Sequence, residues 1–273
     1  MIIAITGGRG FIGRATTAYA LAHGHAVVSF DRPEHDLLGS LDALGDADAV
    51  IHLAGVLGTA ELFETPELAV NVNVIGTLRV LEWCEKHGAR YVGITMPPVF
   101  PSVYTATKLC ADRLTAAWVV NKGLRASRVR AFNAYGPWQR FGPGHPQKIV
   151  PTFAREAWAG RPIPIWGNGT QTVDLVHADD LGRMLVEATR FGMNEVFDGG
   201  TGTALSVNEV ADRVIRITGS KAGVEYLPMR KGEVPTEIVA TGEGWDRILG
   251  PKFEEKKFEE AVLWYKDPPP WPM

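Results

Sequence analysis

The glycine-rich segment near the start of the chain constrains the fold more than any other feature. It reads Gly7-Gly8-Arg9-Gly10-Phe11-Ile12-Gly13, follows a short apolar run at Ile2–Thr6 and leads into a helical pattern at Phe11–His23. The apolar run predicts a buried strand, and glycine allows the turn after it to be tight. Free N–H groups and the positive dipole end of the helix favour a phosphate group beside this turn.

The first half of the chain continues to alternate strands and helices. Strands are predicted at Ala26–Phe30, Ala49–Leu53, Tyr91–Thr95 and Arg128–Phe132, and helices at Glu67–His87 and Thr105–Lys122. The first of these two helices follows Thr65-Pro66, a plausible N-cap with proline at the first helical position. Such alternation implies parallel strands with helices on both faces, so the sequence predicts the α/β class with a doubly wound parallel sheet.

The second half of the chain differs from the first in composition and in the pattern of its predicted elements. Residues 136–146 are rich in glycine, proline and aromatic side chains, which predicts a long shaped loop with Trp138 and Phe141 buried. Further elements are predicted as follows: a helix at Thr152–Ala159, a strand near Ile163–Trp166, a helix at Asp179–Arg190, a strand at Glu195–Phe197, and a helix from the capping box Ser206–Glu209 to about Thr218. The tail at 268–273 is predicted to lie along the surface without helical structure.

Composition excludes several classes of protein. The 273 residues are 45% hydrophobic and 22% charged, which is typical of a globular protein. Lys+Arg 28 against Asp+Glu 31 argues against a nucleic-acid partner, and no apolar run is long enough for a membrane span. Cys84 and Cys110 lie far apart without a CxxC motif, which argues against a disulfide scaffold or a metal site. With no cationic leader at its start, the chain is expected to be cytoplasmic.

Asp31 extends the argument about the glycine segment. It stands at the end of the second predicted strand, 18 residues beyond Gly13, close to the spacing of an acid that binds the adenosine ribose of a dinucleotide. A carboxylate repels a 2′-phosphate, so NAD is favoured over NADP. Arg9 and Arg32 remain open as phosphate ligands or solvated charges. The competing interpretation is a structural turn followed by a surface aspartate.

Tyr104 and Lys108 are four residues apart and therefore lie on one face of a helix. A free tyrosine has a pKa of about 10, which makes it a poor base at neutral pH. The lysine ammonium and an oxidised nicotinamide would lower that pKa by stabilising the phenolate. The pair is then able to remove a proton from a hydroxyl while a hydride leaves the same carbon. On its own, such a pair is usually a helix-surface feature.

The order and spacing of nine segments together carry a resemblance to a known family. They are TGGRGFIG at 6–13, Asp31, HLAG at 52–55, NVIGT at 73–77, YTATK at 104–108, RAFNAYGP at 130–137, residues 166–185, residues 194–202 and RKGEV at 230–234. In these segments the chain resembles the extended short-chain dehydrogenase/reductase family, specifically its NAD-dependent nucleotide-sugar epimerases and dehydratases. The resemblance implies a Rossmann domain at 1–136, rejoined by about 171–200, and a smaller α/β substrate-binding lobe at 137–170 and 201–273.

The resemblance also implies roles for individual residues. The residues implied at the NAD cofactor are Gly7, Gly10, Phe11, Ile12 and Gly13 at the pyrophosphate, Asp31 and Arg32 at the adenosine ribose, Leu53, Ala54 and Gly55 beside the nicotinamide half, and Asn73 as a structural or cofactor-side residue. Tyr104 would be the base, and Lys108 would anchor the nicotinamide ribose. Asn133 and Arg230 would contact the diphosphate of a nucleotide sugar. His177 is expected to start a helix rather than to catalyse.

The chain departs from the family pattern at three places. The family's Ser or Thr at the end of the fourth strand aligns with Met96, which leaves Thr95, one residue early, and Ser102 as candidate hydroxyls. The dehydratase Asp-Glu pair is replaced by prolines 97 and 98, and the loop before Tyr104 is contracted. Val173 stands where many relatives have an arginine, so Arg230, with Arg140 or Lys148, would bind the diphosphate.

The leading hypothesis is an NAD-dependent nucleotide-sugar 4-epimerase that passes through a 4-keto sugar. The alternatives are a related reductase or dehydratase, or a cofactor-binding protein with degraded catalysis. A homodimer is implied by the resemblance, through the helices at Glu67–His87 and Thr105–Lys122.

Overall fold

The computed structural model describes residues 1–97, 99–141, 145–230 and 232–270. In the first half the elements are β1 Ile2–Thr6, α1 Phe11–Ala22, β2 Ala26–Phe30, β3 Ala49–His52, α2 Pro66–Ala69, α3 Gly76–His87, β4 Arg90–Thr95, α4 Val103–Lys122, β5 Ala126–Ala131 and β6 Asn133–Tyr135. The second half contains α5 Ile149–Trp158, β7 Ile163–Trp166, β8 Thr172–His177, α6 Ala178–Ala188, β9 Met193–Gly199, β10 Ala204–Ser206, α7 Val207–Thr218, β11 Val224–Leu227 and α8 Glu255–Trp264. No helix in these ranges is both long and apolar enough to cross a membrane.

The central sheet has six strands in the order β2-β1-β3-β4-β5-β9, and every neighbouring pair is parallel. This arrangement confirms the predicted doubly wound α/β fold. From β1 the chain moves outward to β2 and then crosses over to β3 on the other side. The strand order therefore reverses beside β1, and such reversals form a crevice at the carboxyl ends of the strands, where ligands bind.

Alternating residues of the central strands pack into two separate hydrophobic cores, one on each face of the sheet. On β1, Ile3 and Ile5 pack into the cluster formed with α1 and α6, while Ala4 packs into the cluster with α3 and α4. All three are fully buried. Because both faces of the sheet are covered, its strands are nearly continuous apolar runs rather than alternating ones.

A third hydrophobic cluster lies beyond the central sheet. It joins α5, α7 and α8 with a three-stranded sheet, β10-β8-β6, and with the parallel pair β11-β7. Tyr265 is fully buried there, and its hydroxyl donates to the carbonyl oxygens of Gly136 and Gln139 at 2.9 and 3.2 Å. Phe141 packs against this cluster, so the long loop is tied to it. The division of the chain into a cofactor lobe and a substrate lobe remains a prediction.

Several elements differ from the sequence predictions. The helix expected over Glu67–His87 is interrupted by a π-helical segment at Val70–Ile75. β6, β8, β10, β11 and α8 were not predicted from pattern. The predicted capping box of α7 is confirmed, with Ser206 and Glu209 bonded reciprocally. The tail has no regular structure at 268–270, while 271–273, like Pro98, Lys231 and 142–144 of the long loop, lie outside the described residues.

Candidate active site

The glycine segment forms a backbone cradle between β1 and α1. Gly7 has a φ of 75°, and a β-carbon there would lie 2.8 Å from the amide nitrogen of Ala54. A β-carbon on Gly13 would collide with the carbonyl oxygen of Gly7. Gly10 is the N-cap of α1 and offers no side chain to the first-turn amides, which begin at Phe11. The cradle therefore presents N–H groups and positive dipole charge to an anion, as a pyrophosphate requires.

Asp31 is fixed immediately beyond β2, next to this cradle. One of its carboxylate oxygens accepts from the backbone N–H of Arg9 at 3.0 Å, and the other accepts from the hydroxyl of Ser29 at 2.6 Å. Each oxygen keeps further acceptor capacity, because a carboxylate has about four lone-pair sites. Asp31 is thus held where a ribose diol is able to donate to it.

The two arginines near Asp31 are paired with other acids. The guanidinium of Arg9 lies 2.8 Å from the carboxylate of Glu34, and that of Arg32 lies 2.7 Å from the carboxylate of Asp36. Each of these exposed pairs places a second acid close to Asp31, next to an arginine. The arrangement favours NAD over NADP.

The segment after β3 is tied down by Asn73, which lies in the π-helical segment and is 2% exposed. Its side-chain amide accepts from the N–H of Val56 and donates to the carbonyl of Val56, both at 2.9 Å. The same amide donates to the hydroxyl of Thr107 on α4 at 3.2 Å. A β-carbon on Gly55 would lie 3.0 Å from the Asn73 oxygen. Asn73 therefore fastens Val56, directly after the segment Leu53–Gly55, to the helix that carries Tyr104.

A buried chain of hydrogen bonds links β1, β3 and α3 at the crevice. The sequence did not indicate it. Nδ1 of His52 lies 2.7 Å from the hydroxyl of Thr6, and Nε2 lies 3.1 Å from the hydroxyl of Thr77. The Thr6 hydroxyl also accepts from the N–H groups of Leu53 and Ala54 at 3.2 Å. Burial, reinforced by the charge of Lys108, lowers the pKa of His52 to about 3. His52 is therefore neutral and acts as a brace.

Tyr104 and Lys108 occupy the first two turns of α4, and both are half-buried. Among the described residues, no group is hydrogen-bonded to the Tyr104 hydroxyl or to the Lys108 ammonium, so both remain available to ligands. Burial lowers the pKa of Lys108 to about 8, although Asp112 opposes the change. Burial also raises the pKa of Tyr104, opposite to the direction predicted for the pair. In the protein alone, the cost of removing the phenolate from water sets the direction of this change.

The two candidate hydroxyls have different surroundings. Thr95 is the last residue of β4, is 5% exposed, and lines a cavity of about 10 Å³ together with Lys108. Ser102 is the N-cap of α4, and its hydroxyl oxygen accepts from the N–H of Thr105 at 3.0 Å. The structure thus brings Thr95 to the lysine, while Ser102 serves the helix terminus.

Arg230 is oriented by two neighbours on the substrate side. Its guanidinium lies over the ring of Trp166, 4.9 Å from the centroid, and its Nε donates to Glu233 at 2.9 Å. The other oxygen of Glu233 accepts from the hydroxyl of Thr59 at 3.1 Å. These contacts engage Nε and the face of the guanidinium, and among the described residues no hydrogen bond to its Nη groups is found.

Lys148 and Asn133 complete the set of predicted substrate residues. Lys148 is the N-cap of α5, and burial lowers its pKa, opposed by Glu61 and Glu233 and assisted by Arg230. Lys148 and Arg230 therefore share one electrostatic environment. Asn133 is exposed at the start of β6.

Two buried aspartates organise the neighbouring loops, and the sequence analysis missed both roles. Asp174 is fully buried and accepts from the N–H groups of Thr201, Gly202 and Ala240 at 2.6 to 3.0 Å. Asp198 likewise accepts from Arg130 and from backbone N–H groups at 241–243. Their partners are distant in sequence, so local pattern carried no signal for them.

His177 behaves as predicted, as the N-cap of α6. Its Nδ1 accepts from the N–H of Asp179 at 3.3 Å. Within the described ranges, no three His, Cys, Asp or Glu side chains are grouped as metal ligands.

A family model described as the NAD dependent epimerase/dehydratase family matches residues 3–198. The chain belongs to this family. The match confirms the resemblance to nucleotide-sugar epimerases and dehydratases of the extended short-chain dehydrogenase/reductase type.

Named relatives in the family include both epimerases and dehydratases. A UDP-glucuronate 4-epimerase from Thermodesulfobacterium geofontis is 32% identical over 68% of this chain and 62% of its own length. A dTDP-glucose 4,6-dehydratase from Mycobacterium tuberculosis is 31% identical over 56% of this chain and 50% of its own length. A solved UDP-glucose 4-epimerase with UDP-glucose, from Thermotoga maritima, is 26% identical, covers 97% of this chain and 99% of its own, and has a TM-score of 0.89.

NAD is the cofactor of this NAD-dependent family. The backbone cradle formed by Gly7 and Gly13, the uncapped start of α1 and the fixed carboxylate of Asp31 all fit that molecule. The availability of the Tyr104 and Lys108 polar groups fits its nicotinamide end.

Proposed function

We propose that the protein is a nucleotide-sugar 4-epimerase. The observation that carries the proposal is the placement of Tyr104 and Lys108, with their polar groups available, on the helix that Asn73 ties to the cofactor side of the crevice. Thr95 adds a hydroxyl beside Lys108. The family contains both epimerases and dehydratases. The choice between these two activities therefore depends on the residues around Tyr104, Lys108 and Thr95.

In the proposed reaction, Tyr104 removes the proton from the sugar 4-hydroxyl and later returns it. When bound, NAD supplies the acceptor, and afterwards the donor, of the hydride on C4. Lys108 donates a hydrogen bond to the nicotinamide ribose, and its charge stabilises the Tyr104 phenolate. Thr95 holds the reacting hydroxyl towards the tyrosine. The 4-keto sugar turns about its diphosphate, so that C4 receives the hydride on its opposite face and the C4 oxygen receives the proton from Tyr104, which gives the 4-epimer.

Recognition of the substrate diphosphate is assigned to Arg230 and Lys148. Glu233 and Trp166 fix the guanidinium plane, and a fixed plane loses less entropy when it binds an anion. Lys148 contributes a second positive charge close to it. Val173 packs against the third hydrophobic cluster instead of supplying a guanidinium, so these two cations carry the binding. The solved Thermotoga maritima relative contains UDP-glucose, which supports a UDP-hexose as substrate.

Dehydration of the sugar is disfavoured by the residues after β4. Elimination of water needs an acid and a base near the sugar, and Pro97, which occupies one of the implied positions, is buried and offers neither. Pro98, at the other implied position, lies outside the described residues. The epimerase proposal needs no additional acid beyond Tyr104.

The proposal is tested with a panel of UDP-, dTDP- and other nucleotide hexoses and hexuronates, analysed by chromatography. We expect one or more members to be converted into their 4-epimers without net NADH formation. Tyr104→Phe should retain NAD and lose about 10²–10⁴-fold in turnover. Appearance of a 4-keto-6-deoxy product would assign a dehydratase. NAD binding with no turnover across the panel would support a binding protein instead.

We also propose that the protein is a homodimer through α4 and the helical segment 66–87. Large apolar side chains are exposed on both: Leu68, Val70 and Ile75 on the segment, and Leu109 and Val120 on α4. Contiguous exposed apolar groups mark interaction surfaces. Sedimentation should give twice the chain mass, and Leu109→Glu should shift it towards a single chain.

A further inference from the structure

Asp112 lies one turn beyond Lys108 on α4, and the proposed reaction assigns it no role. Tyr104, Lys108 and Asp112 follow one another at intervals of four, so they share one face of the helix. Lys108 and Asp112 line the same cavity of about 10 Å³, together with Thr95. Its size and polar walls fit one water molecule, which would connect the ammonium to the carboxylate.

Arg128 fixes Asp112 through an ion pair. It comes from β5, its side chain is 9% exposed, and its Nη1 donates to Asp112 at 3.2 Å. Its Nη2 donates to the side-chain oxygen of Asn194 at 2.8 Å. The guanidinium is held on two sides, so the carboxylate of Asp112 is held with it.

The charges that face Lys108 come from four elements. Asp112 is on the same helix, as is Tyr104, whose pKa is raised by burial. From β3 comes His52, which is neutral; from β4 comes Tyr91, whose pKa is also raised by burial. Arg128 approaches from β5 and is turned to Asp112. Among these described groups, Asp112 is the one carboxyl group.

We propose that Asp112 is a positioning residue that keeps the Lys108 ammonium protonated and in place beneath the reacting groups. The inference rests on the proposed function, in which Lys108 must be charged to stabilise the phenolate. Burial alone disfavours the ammonium. The Asp112 carboxylate opposes this effect, which leaves the pKa of Lys108 at about 8 and the amine mostly charged at neutral pH. Without the carboxylate, burial would act unopposed.

The test is a titration of Lys108 in the protein without cofactor or substrate. Acetic anhydride acetylates only the neutral amine, so the acetylation rate of the Lys108 peptide against pH, followed by mass spectrometry, gives the pKa. We expect a midpoint near 8 in the natural protein. Asp112→Asn should lower the midpoint by about one unit or more. Asp112→Glu should restore it.

Two further variants keep the inference falsifiable if Asp112→Asn does not fold. Arg128→Met removes the compensating cation and should raise the midpoint, opposite in sign to Asp112→Asn. Arg113→Gln changes a charge on the same turn but on the exposed side of α4, and should leave the midpoint unchanged. An unchanged midpoint in both Asp112→Asn and Arg128→Met, or an equal shift in Arg113→Gln, would overturn the inference.

The titration needs no turnover, so it separates this inference from the proposed function. A shifted midpoint in a protein that epimerises no sugar would leave the role of Asp112 intact and refute the epimerase. In an active enzyme, the alkaline limit of kcat/KM should move down with the Lys108 midpoint in Asp112→Asn. An alkaline limit that stays in place while the midpoint moves would overturn the link to catalysis.

Discussion

At the scale of single residues, the end of β4 decides how the chemistry is carried out. The family pattern aligns its hydroxyl residue with Met96, and strand alternation alone would turn Thr95 to the opposite face. In the structure, Thr95 and Lys108 line the same cavity, while Met96 is half-buried. The sequence offers the hydroxyls of Thr95 and Ser102 as candidates but does not rank them. The ranking depends on which of the two hydroxyls is engaged as the N-cap of α4.

The two hydroxyls are expected to respond differently to removal. Thr95→Ala should lower kcat by about tenfold or more, since it removes a group that holds the reacting hydroxyl. Ser102→Ala should lower the free energy of unfolding by about 1 kcal/mol through loss of the N-cap, with kcat retained. Thr95→Ser keeps a hydroxyl and is the matched control, expected near natural activity. Equal activity in the two alanine variants, measured beside urea unfolding, would reject both assignments.

At the scale of elements, β1 to β5 were predicted to within about two residues, because each is a short apolar run bounded by glycine or polar residues. β8 and β10 were not, because their stability comes from pairing with each other and, for β8, with the distant β6. The π-helical interruption at Val70–Ile75 also escaped prediction. Asn73 lies in this segment and is buried, and a regular helical pattern contains no sign of the interruption.

The side chain of Asn73 in this π-helical segment should contribute measurably to the free energy of unfolding. Asn73→Ala would leave the backbone groups of Val56 without partners, and the free energy of unfolding should fall by about 1–3 kcal/mol. Asn71→Ala, on the exposed side of the same segment, should change it by no more than about 0.5 kcal/mol. Urea unfolding measures both. A similar small effect in the two variants would show that the clamp on Val56 contributes nothing.

At the scale of the whole molecule, His52 makes the fold sensitive to acid. Its pKa in the folded protein, about 3, lies below the value of about 6.5 in an unfolded chain. The unfolded state therefore binds more protons below pH 6.5, and stability falls as the pH drops towards 3. Between pH 7 and pH 5 the expected loss from His52 is about 2 kcal/mol. The His52→Asn variant should lose about 2 kcal/mol less stability over this pH range. Parallel curves of unfolding free energy against pH for the two proteins would contradict the assignment.

The molecule also shows where sequence information about the site ends. The glycine segment, Asp31 and the Tyr104–Lys108 pair follow from local spacing, so they could be named from sequence. Asp174 and Asp198 could not be named from sequence, since each accepts hydrogen bonds from residues that lie 27 or more positions away along the chain. The raised pKa of Tyr104 likewise depends on burial by the complete fold.

In the proposed reaction, one hydride leaves and returns to the same sugar carbon. A UDP-hexose carrying deuterium at C4, incubated with the NAD-loaded enzyme and followed by proton NMR, reports whether this happens. We predict conversion to the 4-epimer with the deuterium fully retained at C4 and no net NADH. Loss of the deuterium to solvent, accumulation of NADH, or a 4-keto-6-deoxy product would contradict the proposed function.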